Sequence, residues 1–172
     1  MIRKSRVIFV MTMMLIVNFS SLFALDKILF VNQRDDKIHS SNLTGSNIEN
    51  VVTTGLSSAY GIAVDNVNGK IYWTDWGNDT IKKANIDGTS VQTIVSTGLQ
   101  TPRGIDVDAE GGKIYWVDGG NGTVKRANLD GSSVQTIISG FDSNGIAVDT
   151  DNNKIYIAVY EEHGGTIKKS KS

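Results

Sequence analysis

The chain has 172 residues, with 17 Lys and Arg against 18 Asp and Glu, two His, 18 Gly, one Pro and no Cys. This length suits one ordinary globular domain and is too short for several, and a composition of 40% hydrophobic and 20% charged residues argues against a disordered tail, a collagen-like repeat or a multipass membrane protein. The absence of cysteine removes disulfides, thiolate metal sites and cysteine nucleophiles.

Residues 1–24 differ in kind from the rest. Arg3, Lys4 and Arg6 precede an apolar run from Val7 to Val17, and a stretch of small residues ends at Ala24. This layout predicts a secretory signal peptide cleaved after Ala24. The alternative is an uncleaved anchor, but the run is shorter than the roughly 20 residues that span a bilayer. Cleavage would leave 14 basic against 18 acidic residues, a net charge of −4 with no stable membrane span. Such a chain is poorly suited to neutralising nucleic-acid phosphates. Its stability outside the cell would rest on packing alone.

From Lys27 onward the sequence repeats. KILFVN at 27–32 returns as KIYWTD at 70–75, KIYWVD at 113–118 and KIYIAV at 154–159, at offsets of 43, 43 and 41. Asn-Leu-Thr-Gly at 42–45 recurs as Asn-Ile-Asp-Gly at 85–88 and Asn-Leu-Asp-Gly at 128–131, and GIAVD at 61–65 recurs as GIDVD at 104–108 and GIAVD at 145–149. The units run over about 27–56, 61–98, 104–140 and 145–170. Within the second, GIAVD, KIYWTD, TIKKANI and VQTIVS each read as a short strand bounded by turn residues, with no helical periodicity. Asp87-Gly88 and Asp130-Gly131 sit where tight hairpin turns would fall. Four antiparallel strands in a unit of this length predict an all-β chain built as blades of a β-propeller.

The IYWTD at 71–75, preceded by GIAVD and followed by a basic pair and an Asn-Ile-Asp-Gly turn, resembles the YWTD repeat, the low-density lipoprotein receptor class B repeat. The resemblance covers essentially all of residues 27–170. It makes Tyr72, Trp73, Asp75, Tyr115, Trp116 and Asp118 the structural motif, with Asp75 and Asp118 tying neighbouring blades together. The first unit has no GIAVD strand, and the last carries Ile157, Ala158 and Val159 in place of Trp-Thr-Asp, so it should be more weakly tied. In that family six blades close a ring. This chain supplies about three and a half, and an open arc leaves an apolar blade face wet. It is therefore expected to be partial, completed by self-association into a homo-oligomer, or closed into an unusually small ring.

Asp65, Asp108 and Asp149 end the first strand of their units and read either as a ring of carboxylates for a divalent cation or as turn caps. Departures from the repeat are better site candidates. Asp106 replaces Ala63 and Ala147, while Arg103 replaces Tyr60 and Asn144; the two read as a ligand-contacting pair or as an inter-blade salt bridge. Lys82-Lys83, Lys125-Arg126 and Lys168-Lys169 read as a stripe for acidic partners such as sulfated polysaccharides, or as solvated charges. Trp76, with Gly119 at its place in the next unit, is a candidate partner-binding anchor, whereas Trp73 and Trp116 read as core. Glu161 and His163 lie in a connection longer than its counterparts and are candidate contacts. The sequons at Asn78 and Asn121 are one turn position in two copies.

Neither His has metal-ligand spacing, and nucleophile-elbow, phosphate-loop and HExxH motifs are absent. The expected function is an exported, non-enzymatic binding module that takes a protein or polysaccharide ligand and needs no cofactor. The alternatives are a lactonase-like or hydrolase-like propeller using Asp106, Arg103 and Asp149 at a channel metal site, and a partial gene product without independent function.

Overall fold

The computed structural model describes residues 9–10, 14–17, 27–159 and 166–171. They form four antiparallel sheets, each built from consecutive strands. Blade 1 contains β1 (Phe9–Val10), β2 (Met14–Val17), β3 (Lys27–Asn32), β4 (Lys37–Asn42) and β5 (Glu49–Val52). Blade 2 contains β6 (Ala59–Asp65), β7 (Lys70–Asp75), β8 (Thr80–Asn85) and β9 (Gln92–Val95). Blade 3 repeats it with β10 (Pro102–Asp108), β11 (Lys113–Asp118), β12 (Thr123–Asn128) and β13 (Gln135–Ser139). Blade 4 has β14 (Ser143–Asp149), β15 (Lys154–Val159) and β16 (Thr166–Lys171). From Lys27 onward the strand order matches the expected partial propeller. Ahead of it, β2 pairs with β3 through Ile16 opposite Ile28, within the segment read as a leader.

Alternation along each strand explains the stacking. Ile71 and Trp73 point to blade 1 and pack with Leu29, Ile38 and Val52, while Tyr72 and Ile81 point to blade 3 and pack with Ile105, Ile114 and Trp116. Tyr115, Val117 and Val124 likewise meet Ile146, Ile155 and Ile157 of blade 4. A strand sandwiched in this way is apolar on both faces, which is why KIYWTD and KIYWVD are buried from their second residue onward. Each fully buried Ile contributes roughly 1.5–3 kcal/mol, so the core is a series of sheet-to-sheet layers.

The innermost strands approach most closely. A Cβ on Gly61 would stand 2.6 Å from the Arg103 carbonyl oxygen, and one on Gly104 would stand 2.7 Å from that of Asn144. Glycine is required there by the neighbouring backbone. Register shifts occur at this same place in all three inner hairpins, between Ala59 and Ile62, Pro102 and Ile105, and Ser143 and Gly145.

The Asp-Gly turns are wider than expected. Residues 86–91 and 129–134 link the strands, and the Gly88 and Gly131 amides donate back to the Asn85 and Asn128 carbonyls at 2.8 and 2.9 Å. Both glycines have positive φ, and a Cβ on either would fall about 2 Å from a carbonyl oxygen of the preceding blade, Val51 or Ile94. The longer turn docks one blade onto the previous one, a role that a two-residue hairpin could not reach.

Candidate functional site

The ends of β7 and β11 carry the motif aspartates at one rim of the stack. Both carboxylates are fully buried. One oxygen of Asp75 accepts the Ser57 amide at 3.0 Å, and the other accepts Asn78 Nδ2 at 3.0 Å and Lys82 Nζ at 2.8 Å. Lys82 also donates to the Gly55 carbonyl. Asp118 repeats the set with the Gln100 amide at 2.7 Å, Asn121 Nδ2 at 2.7 Å and Lys125 Nζ at 2.5 Å, and Lys125 reaches the Gly98 carbonyl. Each aspartate thus fastens the connection arriving from the preceding blade. Asp36 and Asp79 add a second tie by accepting the Ser58 amide at 2.9 Å and the Thr101 amide at 2.7 Å.

Lys82 and Lys125 are therefore buried ion-pair partners and not solvated charges, which leaves only the second member of each of these pairs, Lys83 and Arg126, part-exposed. Sequence spacing placed the pairs on strands; it could not show that one member of each faces a carboxylate seven residues earlier. The sequon residues Asn78 and Asn121 spend their amides on the same carboxylates.

Blades 1 and 4 vary this device. In blade 1, Asn32 and His39 stand where Asp75 and Lys82 stand, and the carboxylate has moved to Asp35, 3.0 Å from His39 Nε2. In blade 4, Val159 takes the place of the aspartate, and Lys168 lies 4.2 Å from the centroid of the Phe141 ring. The Gly140 and Phe141 amides donate to the Gly122 carbonyl at 3.0 and 3.3 Å.

The junction of blades 3 and 4 brings Arg103 and Asp106 into use, each reaching across rather than to the other. Arg103 Nη1 donates to Asp142 at 2.8 Å, to Asn144 Oδ1 at 2.8 Å and to the Ser143 carbonyl at 3.1 Å. Gly119 makes this possible, since a Cβ there would fall 2.4 Å from Arg103 Nε. The Asp106 carboxylate accepts the Val148 amide of β14 and the Val107 amide, at 2.7 and 2.8 Å. Burial pushes its pKa up to about 6, against the two amides that favour the anion, with Asp108 adding repulsion. The terminal aspartates of the inner strands act as turn caps: Asp65 accepts the Asn68 amide at 2.8 Å, Asp108 that of Gly111 at 2.7 Å and Asp149 that of Asn152 at 3.1 Å. Asn152 holds the Asp149 carboxyl below its usual range. Among the described residues, no group of three or more acidic, His or Cys side chains is placed to hold a metal.

The equivalent pair in blade 2 is Tyr60 and Trp76, and it makes a different surface. Trp76 opens a 3₁₀ turn, Trp76–Asn78, and remains 42% exposed. Its ring meets Tyr60 edge to face with centroids 6.1 Å apart. An open cleft of about 300 Å³ lies beside them, lined by Gln33 of blade 1 with Ser58, Trp76 and Gly77. Trp73 and Trp116, by contrast, are fully buried. Trp76 was visible as a departure from the repeat; Gln33 and Ser58 were missed, because only stacking brings a turn of one blade beside the next. Ala24, Glu161 and His163 lie outside the described residues.

Stacked antiparallel blades, the second and third stapled to the blade before by the buried Asp75 and Asp118, define a partial β-propeller. The sequence profile of the low-density lipoprotein receptor repeat class B matches residues 69–109 and 112–150, so the chain carries YWTD repeats and is a propeller protein of that kind. A solved structure of a nidogen/laminin complex superposes with a TM-score of 0.74 at 26% identity, over 77% of this chain. The match spans about half, 52%, of that chain. No curated protein sequence matches. No helix among the described residues is long and apolar enough to cross a membrane.

Proposed function

We propose that this chain is an exported, non-enzymatic binding module, with residues 1–24 as a leader cleaved after Ala24 and 25–172 as the repeat domain, and that it recognises a protein through the rim around Trp76. The observation that carries this reading is the half-exposed Trp76, braced by Tyr60 beside a cleft. Large amphipathic rings held in place before contact give binding area at low ordering cost. The repeat class and the solved propeller from a protein–protein complex support a protein ligand. A polysaccharide ligand has less support, because Lys82 and Lys125 are engaged internally. The non-enzymatic reading is supported by the engagement of the channel-side candidates, since Asp106 serves two backbone amides and Asp149 its own turn. The rest of the reading is extracellular residence and association between copies, with Arg103, Glu161 and His163 as secondary contacts.

A displayed random-peptide library panned on the purified protein tests the site. We expect enriched peptides whose affinity falls tenfold or more in Trp76→Ala without a change in melting temperature. Failure to enrich any peptide, or peptides indifferent to Trp76→Ala, would remove this site.

A further inference from the structure

The turn after β11 serves two junctions at once. Asn121 donates Nδ2 to the buried Asp118 carboxylate at 2.7 Å, and that carboxylate also accepts the Gln100 amide of the connection from blade 2. The next residue faces the other way: the Gly122 carbonyl accepts the Gly140 and Phe141 amides, in the connection to blade 4, at 3.0 and 3.3 Å. The Asn121–Gly122 peptide unit is therefore shared by the fastening of blade 3 to blade 2 and of blade 4 to blade 3.

Asn121 is exposed, and Gly119, Gly120 and Gly122 around it bring no side chains to hold the turn closed. Gly122 has a positive φ of +59°, and its amide makes a long bond of 3.2 Å to the Gly119 carbonyl. In blade 2 the same turn reads Trp-Gly-Asn-Asp. There Asn78 makes the equivalent bond to Asp75 at 3.0 Å, but Asp79 follows it, with its carboxylate fixed on the Thr101 amide at 2.7 Å. The two asparagines have the same kind of partner and differ in what comes next. That difference matters chemically, because the side-chain amide of asparagine is attacked by the backbone nitrogen of the following residue. Glycine there hinders the attack least and leaves the chain most freedom to reach the required geometry.

We propose that Asn121 is a site of spontaneous deamidation, and that its conversion unfastens both junctions. When the turn opens locally, the Gly122 nitrogen gives up its proton and bonds to Asn121 Cγ, a cyclic imide forms, and the side-chain nitrogen leaves as ammonia. Water then adds to either imide carbonyl and cleaves a C–N bond, leaving aspartate or isoaspartate. The sum is asparagine and water giving a carboxylate and ammonium. Either product removes the Nδ2 donor and sets a negative charge beside Asp118, which repels it. Isoaspartate also adds a methylene to the main chain and so shifts the Gly122 carbonyl away from Gly140 and Phe141. Asn68 and Asn144 precede glycine too, but they hold less together. Asn68 bonds back to Asp65 of its own hairpin, and Asn144 is half-buried in β14 with its Oδ1 held by Arg103.

The test is to age the purified full chain at mildly alkaline pH in water enriched in the heavy oxygen isotope, and to map its peptides by mass spectrometry. Asn121 should convert and take up heavy oxygen while Asn78 stays an amide in the same sample. Gly122→Asp, which copies the turn of blade 2, should slow the conversion by roughly tenfold or more; should it misfold, the comparison with Asn78 in the wild type carries the test. Converted chains, separated from unconverted ones by anion exchange, should melt lower by roughly 3 °C or more and exchange the Gln100, Gly140 and Phe141 amides faster. Conversion of Asn121 no faster than that of Asn78, a rate unchanged by Gly122→Asp, or converted chains that match the unconverted ones in melting and exchange would each overturn the proposal.

Discussion

The junction between blades 2 and 3 and the junction between blades 3 and 4 bury similar apolar layers but are fastened by different chemistry. The first uses a buried carboxylate, Asp118, that gathers a backbone amide, a side-chain amide and a lysine, with Asp79 as a second tie. The second has valine at the carboxylate position and relies on Arg103 at the rim, Asp106 at the inner strand and Lys168 against Phe141. One polar cluster buried from water thus gives way to three separate contacts, of which the Arg103 pair is open to solvent at Asp142. Exposed ion pairs are worth little and buried ones are costly to break. The last blade is therefore the more easily detached.

Several substitutions break or sharpen that contrast. Lys125→Met leaves the Asp118 carboxylate buried without its cation and should cost about 3–5 kcal/mol in denaturant unfolding. Gly104→Ala forces a methyl against the Asn144 carbonyl, and overpacking of this kind costs about 1–3 kcal/mol. Asp106 makes the stability of the second junction depend on pH. Because the folded pKa, about 6, exceeds the 3.8 of a free aspartate, the native state holds this proton more tightly than the unfolded chain does. The contribution of Asp106 is then fully present below about pH 4, declines as pH rises towards 6 and is flat beyond. Through this group wild type should be less stable at pH 7 than at pH 4 by up to roughly 3 kcal/mol, and Asp106→Asn, whose amide NH2 would face the Val107 or Val148 N–H, should lose that pH dependence. A wild type with no loss of stability between pH 4 and 6 would contradict this environment for Asp106. Arg103→Ala should change global stability by less than about 1 kcal/mol, while raising amide exchange in β14 and β15.

Much of this architecture was legible in the sequence because stacked blades repeat their constraints. The recurrence of KIYW and GI-VD set the strand order, although the close approach of inner strands at Gly61 and Gly104 shows only in the stacked fold. Asp75 and Asp118 could be assigned to scaffolding from the resemblance. What was not legible involved contacts between repeats. Lys82 reads as an ordinary strand lysine until Gly55 and Asp75 surround it, and Phe141 reads as a loop aromatic until Lys168 is folded over it. The Trp76 cleft depends on Gln33 from another unit, and the exchange of Asp75 and Lys82 for Asp35 and His39 in blade 1 shifts the acid by three positions, beyond the reach of aligned repeats.

Native-state hydrogen exchange resolved by residue tests the difference between the junctions most directly. Buried strand amides of β7 and β11, such as those of Ile71 and Ile114, should exchange only on global unfolding, and those of Ile155 and Ile157 in β15 through a sub-global opening of lower free energy. Equal opening free energies across β7, β11 and β15 would contradict the account.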